Sequence, residues 1–302
     1  MTEPDFIAAL RTIATDPMAR GLNDDAAVLG DLVLTHDMIA EGVHFLSDDP
    51  AADVAWKLVA VNLSDLAAKG ATPVGALIGY TLAGDDAWDR AFIEGLKKVL
   101  DTFGVPLLGG DTVSLPSGTR MLGLTAIGRA PAGGAPSRSA ARPGEALFVT
   151  GSIGDAALGL RVARGELNGP ATLLNAYRRP MPLLAAGQAL APNVSAMMDV
   201  SDGLLLDASR LAQASGVAID IDVDAVPLSE AFAAHMGRDR AARLAACTGG
   251  DDYQLLFSAA ELPGDVGVPV TRIGSISEGS GLKLHDAGGS FALPAKLGYL
   301  HE

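Results

Sequence analysis

Between Pro131 and Gly144 the chain reads PAGGAPSRSAARPG, and this stretch constrains the fold more than any other. Gly, Pro, Ser and Ala in such density punctuate a backbone rather than extend it. An apolar, strand-like run lies on each side, at residues 121–127 and 146–150. A linker here divides the 302 residues into two nearly equal halves, each of ordinary domain size. We expect residues 1–135 to form one domain and residues 136–302 a second.

Both halves alternate short apolar runs with amphipathic ones. In the first, residues 31–35 (DLVLT), 74–81, 105–108 and 121–127 read as strands, and 53–69 and 86–103 as helices. The earlier helix carries Val54, Leu58, Val61 and Leu66 near a three-to-four spacing. In the second half, 146–150, 196–200, 217–223, 255–258 and 270–276 read as strands. Helices are expected at 156–164, around 171–190 and at 203–215. This alternation predicts α/β or α+β layers in both halves. No basic, apolar leader opens the chain, and the charge-free run 180–198 holds three prolines. These features predict a cytoplasmic protein without membrane association. With 22 basic against 36 acidic residues, the net charge of −14 disfavours a nucleic-acid or anionic-membrane surface. A single cysteine, Cys247, excludes a disulfide within the chain and a Cys-rich metal centre.

The position of the acids is more telling than their number. Asp24-Asp25, Asp37, Asp65, Asp111, Asp199 with Asp202, and Asp251-Asp252 mostly have Gly, Ser, Thr or Asn as a close neighbour. Most fall where a predicted strand ends; Asp65 lies on a helix. Each has a bland reading as a turn residue or a helix cap, and Asp202, before Gly203-Leu204-Leu205, is the best capping candidate. The alternating Asp220, Asp222 and Asp224 read as a half-exposed strand. Taken together, acids at strand ends converge on one edge of an α/β layer, where ligands bind. Gathered carboxylates repel one another unless hard cations lie between them, and oxygen ligands without His or Cys select Mg²⁺, Mn²⁺ or Ca²⁺. No P-loop is present; the turn TGSIGD before a helix and Gly109-Gly110-Asp111 are the candidate phosphate contacts.

The segments NDDAAVL, THDMIAEGVHF, KLVAVNLSDLAAKGATP, LLGGDT, VTGSIGDAALGL, MDVSDGL and TGGDDYQLLF follow one another between residues 23 and 257. In this order they resemble the thiamine-monophosphate kinase family, within the aminoimidazole-ribonucleotide synthetase superfamily. The resemblance implies a two-domain α/β (α+β) chain that forms a homodimer, with the N-terminal sheets joined into a barrel-like core. It implies ATP-dependent phosphorylation of thiamine monophosphate to thiamine diphosphate with several Mg²⁺ ions. Carried over by motif, the metal ligands fall on Asp25, Thr35, His36, Asp37, Asp65, Asp111, Asp199 and Asp202. The ATP contacts fall on Gly110, Asp111, Arg138 and Ser201, and the substrate contacts on His44, Asp251 and Tyr299.

Phosphoryl transfer relies on positioning and charge neutralisation, and the resemblance implies direct in-line transfer without a phosphoenzyme. The chain departs from the family pattern at Asn23 (usually Gly), His36 (usually Thr) and Asp251 (usually Glu). It also departs in the tail Gly-Tyr-Leu-His-Glu, where Gly-Tyr-Asp-His-Phe is usual. Two other readings stand beside this one. Another ATP-using enzyme of the superfamily, of aminoimidazole-ribonucleotide synthetase or hydrogenase-maturation dehydratase type, fits His44 and the 61–71 segment less well. A non-catalytic acidic metal-binding protein would explain the acids but neither the ordered glycine turns nor Arg138.

Overall fold

The computed structural model describes residues 1–115 and 118–300, and each half of the chain builds one sheet. The first half runs α1 (Glu3–Arg11), β1 (Ala27–Leu29), β2 (Leu32–Ala40), α2 (Ala51–Ala68), β3 (Thr72–Leu82), α3 (Asp86–Phe103), β4 (Leu107–Ser114) and β5 (Met121–Arg129). Its strands lie in the order β1-β2-β5-β3-β4, with only β3 and β4 parallel. Val33 and Ile39 of β2 and Leu122, Leu124 and Ala126 of β5 are buried toward α2 and α3. Met38, Leu77, Val113 and Met121 are exposed on the opposite, open face, as the two-residue period of a strand requires.

Two strands run further than their apolar cores suggested. β2 continues through His36 and Asp37 because it pairs with β5 along its whole length, from Leu32↔Arg129 to Ala40↔Met121. Gly109-Gly110-Asp111 is not a turn after a strand but the middle of β4. A side chain at Gly110 would start 2.0 Å from the carbonyl oxygen of Ile78 on β3, so only glycine allows that close approach.

The second half runs β6 (Ala146–Thr150), α4 (Asp155–Ala163), α5 (Ala171–Arg178), α6 (Leu184–Leu190), β7 (Ala196–Asp199), α7 (Leu204–Ser215), β8 (Ala218–Asp222), α8 (Glu230–Met236), α9 (Arg240–Cys247), β9 (Leu255–Ala259), β10 (Val270–Ser277), β11 (Gly281–Asp286) and β12 (Gly289–Phe291). The order is β12-β11-β8-β10-β6-β9-β7, antiparallel except for β8 with β11. Predominantly antiparallel pairing, with helices packed against both sheets, makes the architecture mixed α+β. Cys247 is buried in this core, and burial pushes its thiol up to about 12. Among the described residues, no helix is long and apolar enough to cross a membrane.

Helix α2 joins the halves. Fifteen of its residues are buried, where the sequence periodicity predicted a single apolar stripe. The reason is that α2 lies between the first sheet and the second half. Gly187 of α6 packs so tightly that a Cβ there would sit 2.0 Å from the carbonyl oxygen of Ala67. The Trp56 indole N–H donates to Pro180 O at 2.8 Å across the same boundary.

Candidate active site

The acids of the sequence motifs meet where α2, β2, β7 and the β7–α7 turn come together. Asp25, Asp37, Asp65, Asp199 and Asp202 line one cavity of about 920 Å³, together with Arg138 and Ser201. One carboxylate oxygen from each of Asp25, Asp65 and Asp199 lies within 4.8 Å of the others. Each is held from a different element. The Thr35 hydroxyl on β2 donates to Asp65 on α2, and the Ser64 hydroxyl donates to Asp199 at the end of β7 at 2.6 Å. Asn62, one turn from Leu66, accepts the Asp37 N–H at 2.9 Å.

The electrostatics are divided. Burial pushes Asp65 well above the usual carboxylate range, and Asp37, Asp199 and Asp25 push it further. Burial and then the Asp25 charge do the same to Asp199. Burial, with Asp25 and Asp202 nearby, raises Asp37 to about 6. Asp25 is the exception: burial opposes ionisation, but Arg138 and Lys69 outweigh it and hold the group low. Lys69, fully buried, pairs with both Asp24 and Asp25. Its Nζ lies 2.7 Å from Asp25 Oδ2, and this ion pair is the contact that holds that buried oxygen. Arg138 pairs with Asp25 and leaves its buried Nε–H without an acceptor. Buried acids in mutual repulsion are a donor set suited to hard divalent cations.

Asp37, Asp65 and Asp199 protonate more easily folded than unfolded. Their contribution to stability is therefore full below the unfolded carboxylate value near 4 and is lost as pH rises through about 6 and beyond. In chelator, the melting temperature is expected to fall by at least ~5 °C between about pH 5 and about pH 8. Added Mg²⁺ is expected to abolish that fall. A flat profile in chelator, measured by calorimetry, would contradict the cluster's electrostatics.

Several expectations need correction. His36 points from the other face of β2 and bonds Thr125 Oγ1 through Nδ1 at 2.9 Å, so its ring is no member of the cluster. Asp111 and Gly110 are exposed on edge strand β4. Register places Gly110 beside Ile78, Leu124 and then Asp37, three strand spacings or roughly 14 Å away. This chain alone does not bring them to the cavity. Asp202 does not cap α7; it pairs with Arg210 at 2.5 Å. Asp207 holds the turn instead, accepting the N–H groups of Ser201 and Asp202 at 3.1 Å each. Burial raises Asp207 to about 7 against the pull of Arg210. The N-terminus of α4 is not a free phosphate seat, because the Asp252 carboxylate takes the Gly154 N–H at 2.9 Å.

The remaining expected residues do not line this cavity, although Asp251 and Tyr299 bond to the Ser201-Asp202 turn that does. Asp251 donates its N–H to Ser201 O at 2.7 Å and pairs with Lys57. His44 Nδ1 accepts the Ala40 N–H at 3.1 Å, which leaves the ring proton on Nε2. Tyr299 donates its N–H to Asp202 O at 2.8 Å. The last two positions of the altered tail, His301 and Glu302, lie outside the described residues. Lys57 and Lys69 lie inside the segment KLVAVNLSDLAAKGATP without an expected role, and Asp207 and Arg210 fall just after MDVSDGL, outside any of the motifs.

The family model for AIR synthase related protein, N-terminal domain, matches residues 23–130, and that for the C-terminal domain matches residues 142–286. The thiamine-monophosphate kinase of Caulobacter vibrioides is 38% identical over 99% of this chain and 91% of its own. That of Salmonella typhimurium is 40% identical over 85% of this chain and 84% of its own. The chain belongs to the thiamine-monophosphate kinase family. The solved structure of AaThiL complexed with AMPPCP and TMP superposes with a TM-score of 0.87 at 29% identity. The match covers 99% of this chain and 97% of that one. Family membership, not the acids alone, separates this kinase from other enzymes sharing the two-domain fold.

Proposed function

We propose that this chain transfers the γ-phosphoryl group of ATP to the phosphate of thiamine monophosphate, giving thiamine diphosphate and ADP. The observation that carries the proposal is the buried convergence of Asp25, Asp65 and Asp199 in one cavity with Arg138. A phosphate oxygen of thiamine monophosphate attacks the γ-phosphorus, and the bond to the β-phosphate oxygen breaks. The acceptor oxygen is already deprotonated, so no general base is required. Arg138 and the Ser201 turn line the same cavity and are assigned to the polyphosphate. His44, Asp251 and Tyr299 are assigned to the acceptor side. Mg²⁺ ions, several in number, would be held by Asp25, Thr35, Asp37, Asp65, Asp199 and Asp202, and would neutralise the meeting phosphates.

The open sheet face supports a homodimer. Strand β4 is exposed along its whole length, with Leu107, Leu108 and Val113 on the surface. β1 covers β2 only from Leu32 to Leu34, so the outer edge at residues 35–40 has no strand partner among the described residues. A second copy whose β4 adds to that edge would bring its Gly110-Asp111 segment to the strand that carries Asp37. Gly110 and Asp111 therefore keep their assigned ATP and metal roles, supplied in trans. The two-domain division at residues 135/136 and a cytoplasmic location complete the reading. A purely metal-binding role would not account for a guanidinium lining the same cavity. The test is product: ATP, Mg²⁺ and thiamine monophosphate are expected to yield thiamine diphosphate and ADP in equal amounts by mass spectrometry. ATP consumption without thiamine diphosphate would favour another reaction of the superfamily.

A further inference from the structure

Lys57 is buried on α2, with a side chain only 3% exposed, and the mechanism above gives it no task. Its ammonium donates to His44 O at 2.9 Å and to Asp251 Oδ2 at 2.7 Å, and lies 4.2 Å above the Tyr177 ring. One cation thus ties together the loop after β2, the 250–253 segment of the second half, and α5. Two acceptors and a ring face occupy it, so it is not available to bind a phosphate itself.

The segment it holds is unusual. Asp251 and Tyr253 both have positive φ, at 64° and 50°, a region that L residues other than glycine rarely adopt. Main-chain bonds from Asp251 N–H to Ser201 O and from Tyr253 N–H to Val200 O fix the backbone at 2.7 and 2.8 Å. The Tyr253 hydroxyl donates to Asp251 Oδ1 at 2.9 Å, and the Tyr253 ring packs into the core of the first half. Both oxygens of Asp251 are therefore held, one by Tyr253 and the other by Lys57. On the far side, the carbonyl and ring of His44 are fixed by Lys57 and by the Ala40 N–H.

We propose that Lys57 is a positioning residue for the acceptor side of the site. Its charge locks His44 and Asp251 into one arrangement across the domain boundary, and so sets affinity for thiamine monophosphate but not for ATP. This rests on the reading that His44 and Asp251 meet the acceptor. Removing the ammonium leaves a buried carbonyl and a carboxylate oxygen without a donor, and a lost charge-assisted bond is worth about 10-fold or more.

The experiment compares Lys57→Met, which keeps the apolar stem, with Lys57→Arg, which keeps the charge, in the full chain. KM is measured separately for thiamine monophosphate and for ATP, alongside kcat and melting temperature. Lys57→Met is expected to raise KM for thiamine monophosphate at least ~10-fold and leave KM for ATP within about 2-fold, with partial recovery in Lys57→Arg. Unchanged KM for thiamine monophosphate in an active Lys57→Met protein would overturn the proposal. So would equal rises in both KM values. Should Lys57→Met fail to fold, Tyr253→Phe removes the other Asp251 donor and is expected to raise the same KM about 3-fold; no rise would overturn the proposal. An inactive wild-type chain would instead defeat the functional reading, and this inference with it.

Discussion

Asp65→Asn is expected to lower thiamine diphosphate formation by roughly 10³-fold while leaving the fold intact. Asp65 sits at the centre of the cluster, raised by burial and by three neighbouring carboxylates. A preorganised charge in a water-poor site is worth about 10²–10³ in turnover when removed, and more when it anchors cations. Stability should move the other way. Asparagine still accepts the Thr35 hydroxyl bond and removes a charge that burial and its neighbours disfavour. The metal-free melting temperature is therefore expected to hold or rise, and the stabilisation by Mg²⁺ to shrink. Joint loss of activity and folding in calorimetry would make Asp65 a structural acid.

Mixing two inactive chains is expected to restore activity. The cavity contains Asp65 from its own chain, whereas Asp111 lies on the exposed edge strand of the same chain. If a second copy supplies Asp111, then Asp65→Asn and Asp111→Asn each silence every site of their own homodimers. A mixed dimer has one site lacking both acids and one lacking neither. Random assortment places about half the dimers in the mixed form, so about a quarter of all sites recover. Refolding or co-expressing the two variants, then assaying product, measures this directly. No recovery, with mixed dimers confirmed by mass, would place Asp111 outside the site.

The motif acids were legible because each lies in a short, recognisable segment, and their convergence follows from where strands and α2 end. Their strand context was not. The run DLVLT looked finished at His36-Asp37 because polar residues interrupt the apolar pattern, yet β5 pairs the strand through to Ala40. The periodicity of α2 showed one stripe, but a helix between two domains is buried all round. Lys57 and Asp251 stand 194 positions apart, and no local spacing reports such a pair. The same holds for Lys69, whose partners Asp24 and Asp25 come from the loop before β1. Asp111 illustrates the remaining limit: its motif marks it as functional, but only the sheet register shows that its own chain cannot deliver it.

On the proposed function, the acidic cavity acts on polyanionic substrates only when divalent cations offset its carboxylates. The direct measurement is thiamine diphosphate formation by exhaustively chelated protein, before and after Mg²⁺ or Mn²⁺ is restored. No product is expected from ATP and thiamine monophosphate in chelator, and full recovery is expected on adding the cation. Turnover that survives chelation unchanged would contradict that requirement.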